Sequence, residues 1–119
     1  MIEKFDIAGY CRISVDDDLD RDNVSIENQK AIIQDFVRQK FPGSTLTFYE
    51  DRDRSGYTFE QREGYQALRK KLMGHKYEIL IVKDFSRFSR RNSRGLVELE
   101  DLRDAGVRII SIGDGIDFP

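Results

Sequence analysis

A chain of 119 residues that is 39% hydrophobic and 35% charged can hold one folded domain with one core; its composition is globular, on the polar side, and not that of a disordered chain. Its formal net charge of −2 argues against a dedicated DNA-binding domain, which is usually basic. No run approaches the ~20 apolar residues of a membrane span, so no membrane partner is expected. The single cysteine, Cys11, excludes an internal disulfide framework and fits a reducing, cytoplasmic compartment; one cysteine and one histidine cannot build a Cys/His zinc site.

The opening MIEKFDIAGYCRIS contains acids, and no small-residue cleavage site follows its short apolar run, so no signal peptide is read there. FDIAGYCRI (5–13) is a mostly apolar strand, followed by a loop-like acidic segment. SIENQKAIIQDFVRQKF (25–41) places Ile26, Ile32, Ile33, Phe36 and Val37 at helical spacing, with Ser25 as N-cap. Its capping box is imperfect: Asn28 holds the required position and Gln29 comes one residue late. FPGS (41–44) ends this helix. TLTFYED (45–51) is β-branched and aromatic, a strand; DRDRSGYTFEQ (51–61) is a polar loop. REGYQALRKKLMG (62–74) reads as a short helix closed by Gly74. YEILIVK (77–83) has the near-continuous apolar centre of a strand buried on both faces. NSRGLVELEDLRDAG (92–106) is a helix with Leu96, Val97, Leu99 and Leu102 inward and Gly106 after its end; VRIISIG (107–113) is the last strand.

This alternation predicts an α/β layered fold, a central, mainly parallel sheet of four to five strands flanked by helices. No repeat or linker divides it, so residues 1–119 form a single domain. In such sheets working groups gather beyond the carboxyl ends of the strands. Three segments then meet at one edge: Arg12–Ser14, 51–62 and 83–94.

Charge is unevenly spread among these segments. DDDLDRD (16–22) holds five acids and one base, whereas residues 83–94 hold five bases (Lys83, Arg87, Arg90, Arg91, Arg94) and one acid, Asp84. Arginines three apart near a helix start share a face and match phosphate oxygens two at a time; the helix start adds free N–H groups. A solvated basic patch, or pairing with the acids at 16–22, is the alternative. Serine is a weak nucleophile that needs a base or surrounding cations, and Arg12, two residues before Ser14, shares its strand face. Together these groups suit a serine attacking a phosphodiester. His75, the one histidine, lies in a turn at the opposite edge, a poor place for a Ser-His-Asp triad. The acidic run with Lys83 offers a rival reading, a magnesium-dependent, receiver-like phosphoacceptor, but Arg12 would then sit amid the metal ligands.

The pattern of motifs resembles the catalytic domain of the serine recombinases, the resolvase/invertase family, and is most similar to the large members that move integrative elements and phages. Tyr10-Cys11-Arg12-Ile13-Ser14 resembles the family's Y-x-R-[VI]-S, and residues 25–29, SIENQ, its S-[LI]-x-x-Q. Residues 51–56, DRDRSG, resemble D-x-x-x-S-G, with Arg62 seven residues past Ser55 where the large recombinases carry an arginine. Residues 86–90, SRFSR, resemble D-R-[LF]-x-R, and Asp114-Gly115 is similar to the segment leading into the family's long interface helix. The match covers nearly the whole chain in order.

The resemblance implies that Ser14 attacks the DNA phosphodiester to give a 5′-phosphoserine link and a free 3′-hydroxyl. Arg12, Arg62, Arg87 and Arg90 would stabilise the phosphate, with Tyr10, Gln29, Asp51, Ser55, Asp84 and Ser86 in supporting places. No metal and no cofactor would be required. The implied partners are double-stranded recombination sites and further copies of the chain, a homodimer assembling to a tetramer in the full-length protein. Two departures stand out. Ser86 occupies the place where many members have the aspartate implicated as proton donor, leaving Asp84 or another group for that task, and Glu63 replaces a usual proline. The chain ends at GDGIDFP, about where the interface helix should begin, so the resemblance implies a catalytic domain separated from its DNA-reading parts. A catalytically silent module of the same fold is the further alternative.

Overall fold

The computed structural model describes residues 4–14, 25–53, 63–83 and 93–118. Five strands form one sheet in the order β2-β1-β3-β4-β5: β1 (Asp6–Ser14), β2 (Thr45–Asp53), β3 (Ile79–Val82), β4 (Arg108–Ser111) and β5 (Ile116–Phe118). All pairs are parallel except β4 with β5. Three helices accompany them among the described residues: α1 (Ile26–Lys40), α2 (Glu63–Met73) and α3 (Ser93–Asp104).

The faces follow from handedness. The chain moves from β1 outward to β2, then reverses across β1 to β3 and continues to β4. Right-handed crossovers therefore put α1 on one face and both α2 and α3 on the other. The core divides accordingly. Ile26, Ile33 and Val37 of α1 pack with Ile7, Cys11, Ile79, Ile81 and Ile110. Tyr65, Leu68 and Leu72 of α2 and Leu102 of α3 pack with Ala8, Tyr10, Leu80, Val82 and Ile109. All four residues of β3 are buried, as its unbroken apolar run predicted. Burial of one such side chain contributes about 1.5–3 kcal/mol.

Helix ends show how sequence sets boundaries. Ser25 caps α1, its hydroxyl accepting from the Asn28 N–H at 3.2 Å. After α3, Gly106 adopts φ 92°. The N–H groups of Val107 and Gly106 donate back to the carbonyls of Leu102 and Arg103, the double bond of a Schellman motif.

The expectations needed correction in three places. The left-handed residue after α2 is His75, φ 61°, not Gly74. Lys76 N–H donates to the Lys71 carbonyl and His75 N–H to that of Leu72, so the same motif forms one residue beyond the glycine. Second, 107–113 is not the last strand: β5 follows a turn at 112–115 and returns antiparallel along β4. Arg108 fastens it with two bonds to Asp117, 2.8 and 2.6 Å. Third, Val97 does not face the core; it is 45% exposed. Glu98 takes the inward place, because it stands four residues before Leu102 on the buried stripe.

Candidate active site

Ser14 is the last residue of β1, in register with Asp53 at the end of β2. Its backbone is described; its side chain is not. On the other side, the pairing of β1 with β3 stops at Tyr10 and Val82. The connections leaving these two parallel strands run in opposite directions across the sheet, from β1 to β2 and from β3 to β4, so the end of β1 lies at a topological switch point, where open α/β sheets hold their ligands. Both α2 and α3 begin at this edge, since each runs back from the carboxyl end of a parallel strand.

The residues leading to Ser14 are held from three directions. Arg12 is buried, and its main chain is gripped by the Gln29 side-chain amide. Its N–H donates to Gln29 Oε1 at 3.1 Å, and its carbonyl accepts from Gln29 Nε2 at 3.0 Å. The amide of α1 thus supplies the next rung of a ladder that β3 has left. Gln29 falls one residue late for a capping box because it serves this contact; it is fully buried.

Asp51 is opposite Arg12 in register. Its Oδ2 accepts from the Tyr10 hydroxyl at 2.8 Å and from Tyr65 N–H at 2.9 Å, and its Oδ1 accepts from Gly64 N–H at 2.8 Å. One buried carboxylate therefore ties β1 and β2 to the first turn of α2, whose open N–H groups it satisfies. The approach is close enough to require glycine at 64. A Cβ there would lie 2.2 Å from the Glu50 carbonyl oxygen. Arg62 stands one residue before α2 in sequence.

A second polar cluster, missed from sequence, lies between α2 and α3. Glu98 is 3% exposed, and its Oε1 accepts from the Tyr65 hydroxyl and from Arg69 Nε, each at 2.5 Å. Burial and the bond to Glu98 push the Tyr65 phenol well above its ordinary range. Tyr65 and Arg69 at helical i, i+4 spacing, facing a glutamate on the Leu102 stripe, is the signal that could have found it.

Cys11 is no nucleophile: burial, opposed in part by Lys30, pushes its thiol up to about 12. On edge strand β2, Glu50 bonds Lys30 at 2.9 Å and Arg52 at 2.7 Å, which lowers its carboxyl below the ordinary value. His75 is exposed, at the end of the sheet opposite Ser14. Among the described residues no group of three or more His, Cys, Asp or Glu side chains could hold a metal ion, and no helix is long and apolar enough to cross a membrane. Arg62, Ser55, Asp84, Ser86, Arg87 and Arg90, like the acidic run 16–22, lie outside the described residues. The structure therefore brings together Tyr10, Arg12, Gln29 and Asp51 with the backbone of Ser14.

Comparison with known proteins bears on the family and the fold. The family model "Resolvase, N terminal domain" matches residues 7–119. Among solved structures, the N-terminal catalytic domain of TP901-1 integrase is similar at 23% identity and TM-score 0.78, covering 94% of this chain and 80% of that one. A resolvase family site-specific recombinase from Streptococcus pneumoniae is similar at 28% identity and TM-score 0.74, covering 96% and 76%. The C-terminal catalytic domain of ISC1926 TnpA, an IS607-like serine recombinase, is similar at 22% identity and TM-score 0.70, covering 89% and 69%. No curated protein matches significantly. These findings give the receiver-like reading no support. The chain belongs to the resolvase N-terminal domain family, the catalytic domain of serine site-specific recombinases.

Proposed function

We propose that this domain breaks and rejoins DNA through Ser14. The Ser14 Oγ attacks a backbone phosphorus and loses its proton; the P–O3′ bond breaks, and the 3′ oxygen takes up a proton and leaves as a hydroxyl. The phosphate stays a diester, now to serine, so a 3′-hydroxyl from another strand can reverse the step without an external energy source. Arg12, Arg62, Arg87 and Arg90 bind the phosphate and offset the charge that develops on its oxygens. Gln29 and Asp51 hold Tyr10 and Arg12 in place. Ser55 supports the site, and with Ser86 in the place where many members have aspartate, Asp84 or another group donates the proton.

The observation that carries this reading is the placement of Ser14 at the switch-point end of β1, beside an Arg12 whose main chain is locked by Gln29. The substrate is double-stranded DNA carrying recombination sites, and the working assembly is a homodimer that pairs into a tetramer. The domain acts in the cytoplasm as the catalytic part of a longer protein, with the interface helix and DNA-reading domains beyond residue 119. The polarity of the break tests the proposal. In DNA cut by the full gene product, the 3′ ends should accept nucleotides from a terminal transferase, and the 5′ ends should resist phosphatase and kinase even after proteolysis, because the serine stays esterified to the 5′ phosphate. Protein-linked 3′ ends would contradict it.

A further inference from the structure

Among the described residues two carboxylates are buried, Asp51 and Glu98, and one tyrosine joins them. Tyr65 donates its main-chain N–H to Asp51 and its hydroxyl to Glu98. Its ring meets the ring of Tyr10 edge-on at 5.6 Å, and Tyr10 donates to the same oxygen of Asp51. Arg69, one turn along α2, donates to Glu98 and lies 3.9 Å from Asp101 of α3. A continuous polar path thus runs from β1 and β2 through α2 to α3.

Glu98 is not needed to fill space. It is buried four residues before Leu102, which belongs to the apolar cluster between the sheet and these helices. A buried ion pair rarely adds stability over apolar residues of similar volume. What directional bonds add is a single arrangement, since apolar packing alone loses uniqueness before it loses stability. The two helices so joined are the ones that follow the candidate arginines: α2 begins one residue after Arg62, and α3 begins three after Arg90. Both start at the edge where β1 ends in Ser14.

We propose that Glu98 is a positioning residue for strand cleavage: it sets α2 against α3, the two helices that start at the edge where β1 ends in Ser14. The inference rests on the phosphate-clamp reading above. Glu98 touches no substrate; it acts through Tyr65 and Arg69. Both of its bonds end on one oxygen, so glutamine can keep both and leucine can keep neither.

The test uses the full gene product, with Ser14→Ala, Glu98→Leu, Glu98→Gln and Tyr65→Phe, on DNA carrying its recombination site. Covalent adduct formation is timed at saturating DNA, and DNA affinity and melting temperature are measured in parallel. A misplacement of about 1 Å can cost on the order of 100-fold in rate. Glu98→Leu should therefore lose ten- to hundred-fold in adduct rate, measured well below its melting temperature and with affinity near wild type; the melting temperature itself should drop by several degrees, because the buried Tyr65 hydroxyl loses its Glu98 acceptor. Tyr65→Phe should fall in the same direction, and Glu98→Gln should recover most of the rate. Wild-type rates in Glu98→Leu overturn the inference alone, as does a loss that follows melting temperature and is equal in the leucine and glutamine variants. Absence of a Ser14-dependent adduct in wild type overturns the cleavage reading, and the inference falls with it.

Discussion

Replacing Asp51 with alanine should destabilise the domain more than any other single polar substitution near Ser14. The carboxylate is 9% exposed and accepts three hydrogen bonds. Its loss leaves the Tyr10 hydroxyl buried without its acceptor, at about 1–3 kcal/mol. It also uncaps the N–H groups of Gly64 and Tyr65, at about 0.5–2 kcal/mol. Together these give about 1.5–5 kcal/mol. An unfolding entropy of ~2.1 cal/mol/K per residue over this length converts that to a melting point lower by about 6–20 °C. Tyr10→Phe removes one of the three bonds and leaves Asp51 capping α2, so it should cost about 1 kcal/mol, or roughly 4 °C. Asp51→Asn should fall between, because an amide can offer only one of its two positions as acceptor. Urea unfolding of the three variants, followed by far-UV circular dichroism, gives the ranking directly. An Asp51→Ala domain no less stable than Tyr10→Phe would refute the claim that this carboxylate joins β1, β2 and α2.

Gly64→Ala should cost more than ~2 kcal/mol, because the added methyl meets a main-chain oxygen of β2 that cannot turn away; a melting point unchanged in calorimetry would exclude that close approach. His75→Gly should stabilise by about 0.5–1 kcal/mol, since glycine adopts the left-handed conformation at the end of α2 without strain; a lower melting point would show that the histidine makes a compensating contact. Arg108 holds the Asp117 carboxyl below its ordinary value of 3.8, so the pair's contribution is fully present above that pH and is lost as pH falls through the lower folded pKa. The pair is half-exposed and worth about 0.2–1 kcal/mol. Melting curves of wild type and Asp117→Asn should therefore differ at pH 7 and converge near pH 2; a constant gap across that range would contradict the assignment.

Most of the architecture was legible because single patterns decided it. The run ILIV could only be a strand buried on both faces, and Gly106 and Ser25 marked helix ends by backbone chemistry that operates locally. What escaped was decided by tertiary contact. Glu98 was passed over because a glutamate beside a valine is ordinarily solvent-facing; its partners, Tyr65 and Arg69, are about thirty residues away in sequence. β5 is three residues long and exists through its pairing with β4 and the Arg108–Asp117 bonds, which no local propensity announces. At the site, the motifs named Gln29 and Asp51 without showing what they do. Their work lies in gripping the main chain of Arg12 and of α2's first turn, contacts made across 17 and 13–14 residues of sequence.

The central claim is that Ser14 becomes covalently joined to DNA without help from a metal ion. The measurement is a denaturing protein gel of the full gene product after incubation with labelled DNA spanning its recombination site, in EDTA, for wild type and Ser14→Ala. A labelled band of protein linked to DNA in wild type, absent from the alanine variant, is the predicted result. Equal bands in both, or no band from a wild-type protein that demonstrably binds that DNA, would contradict it.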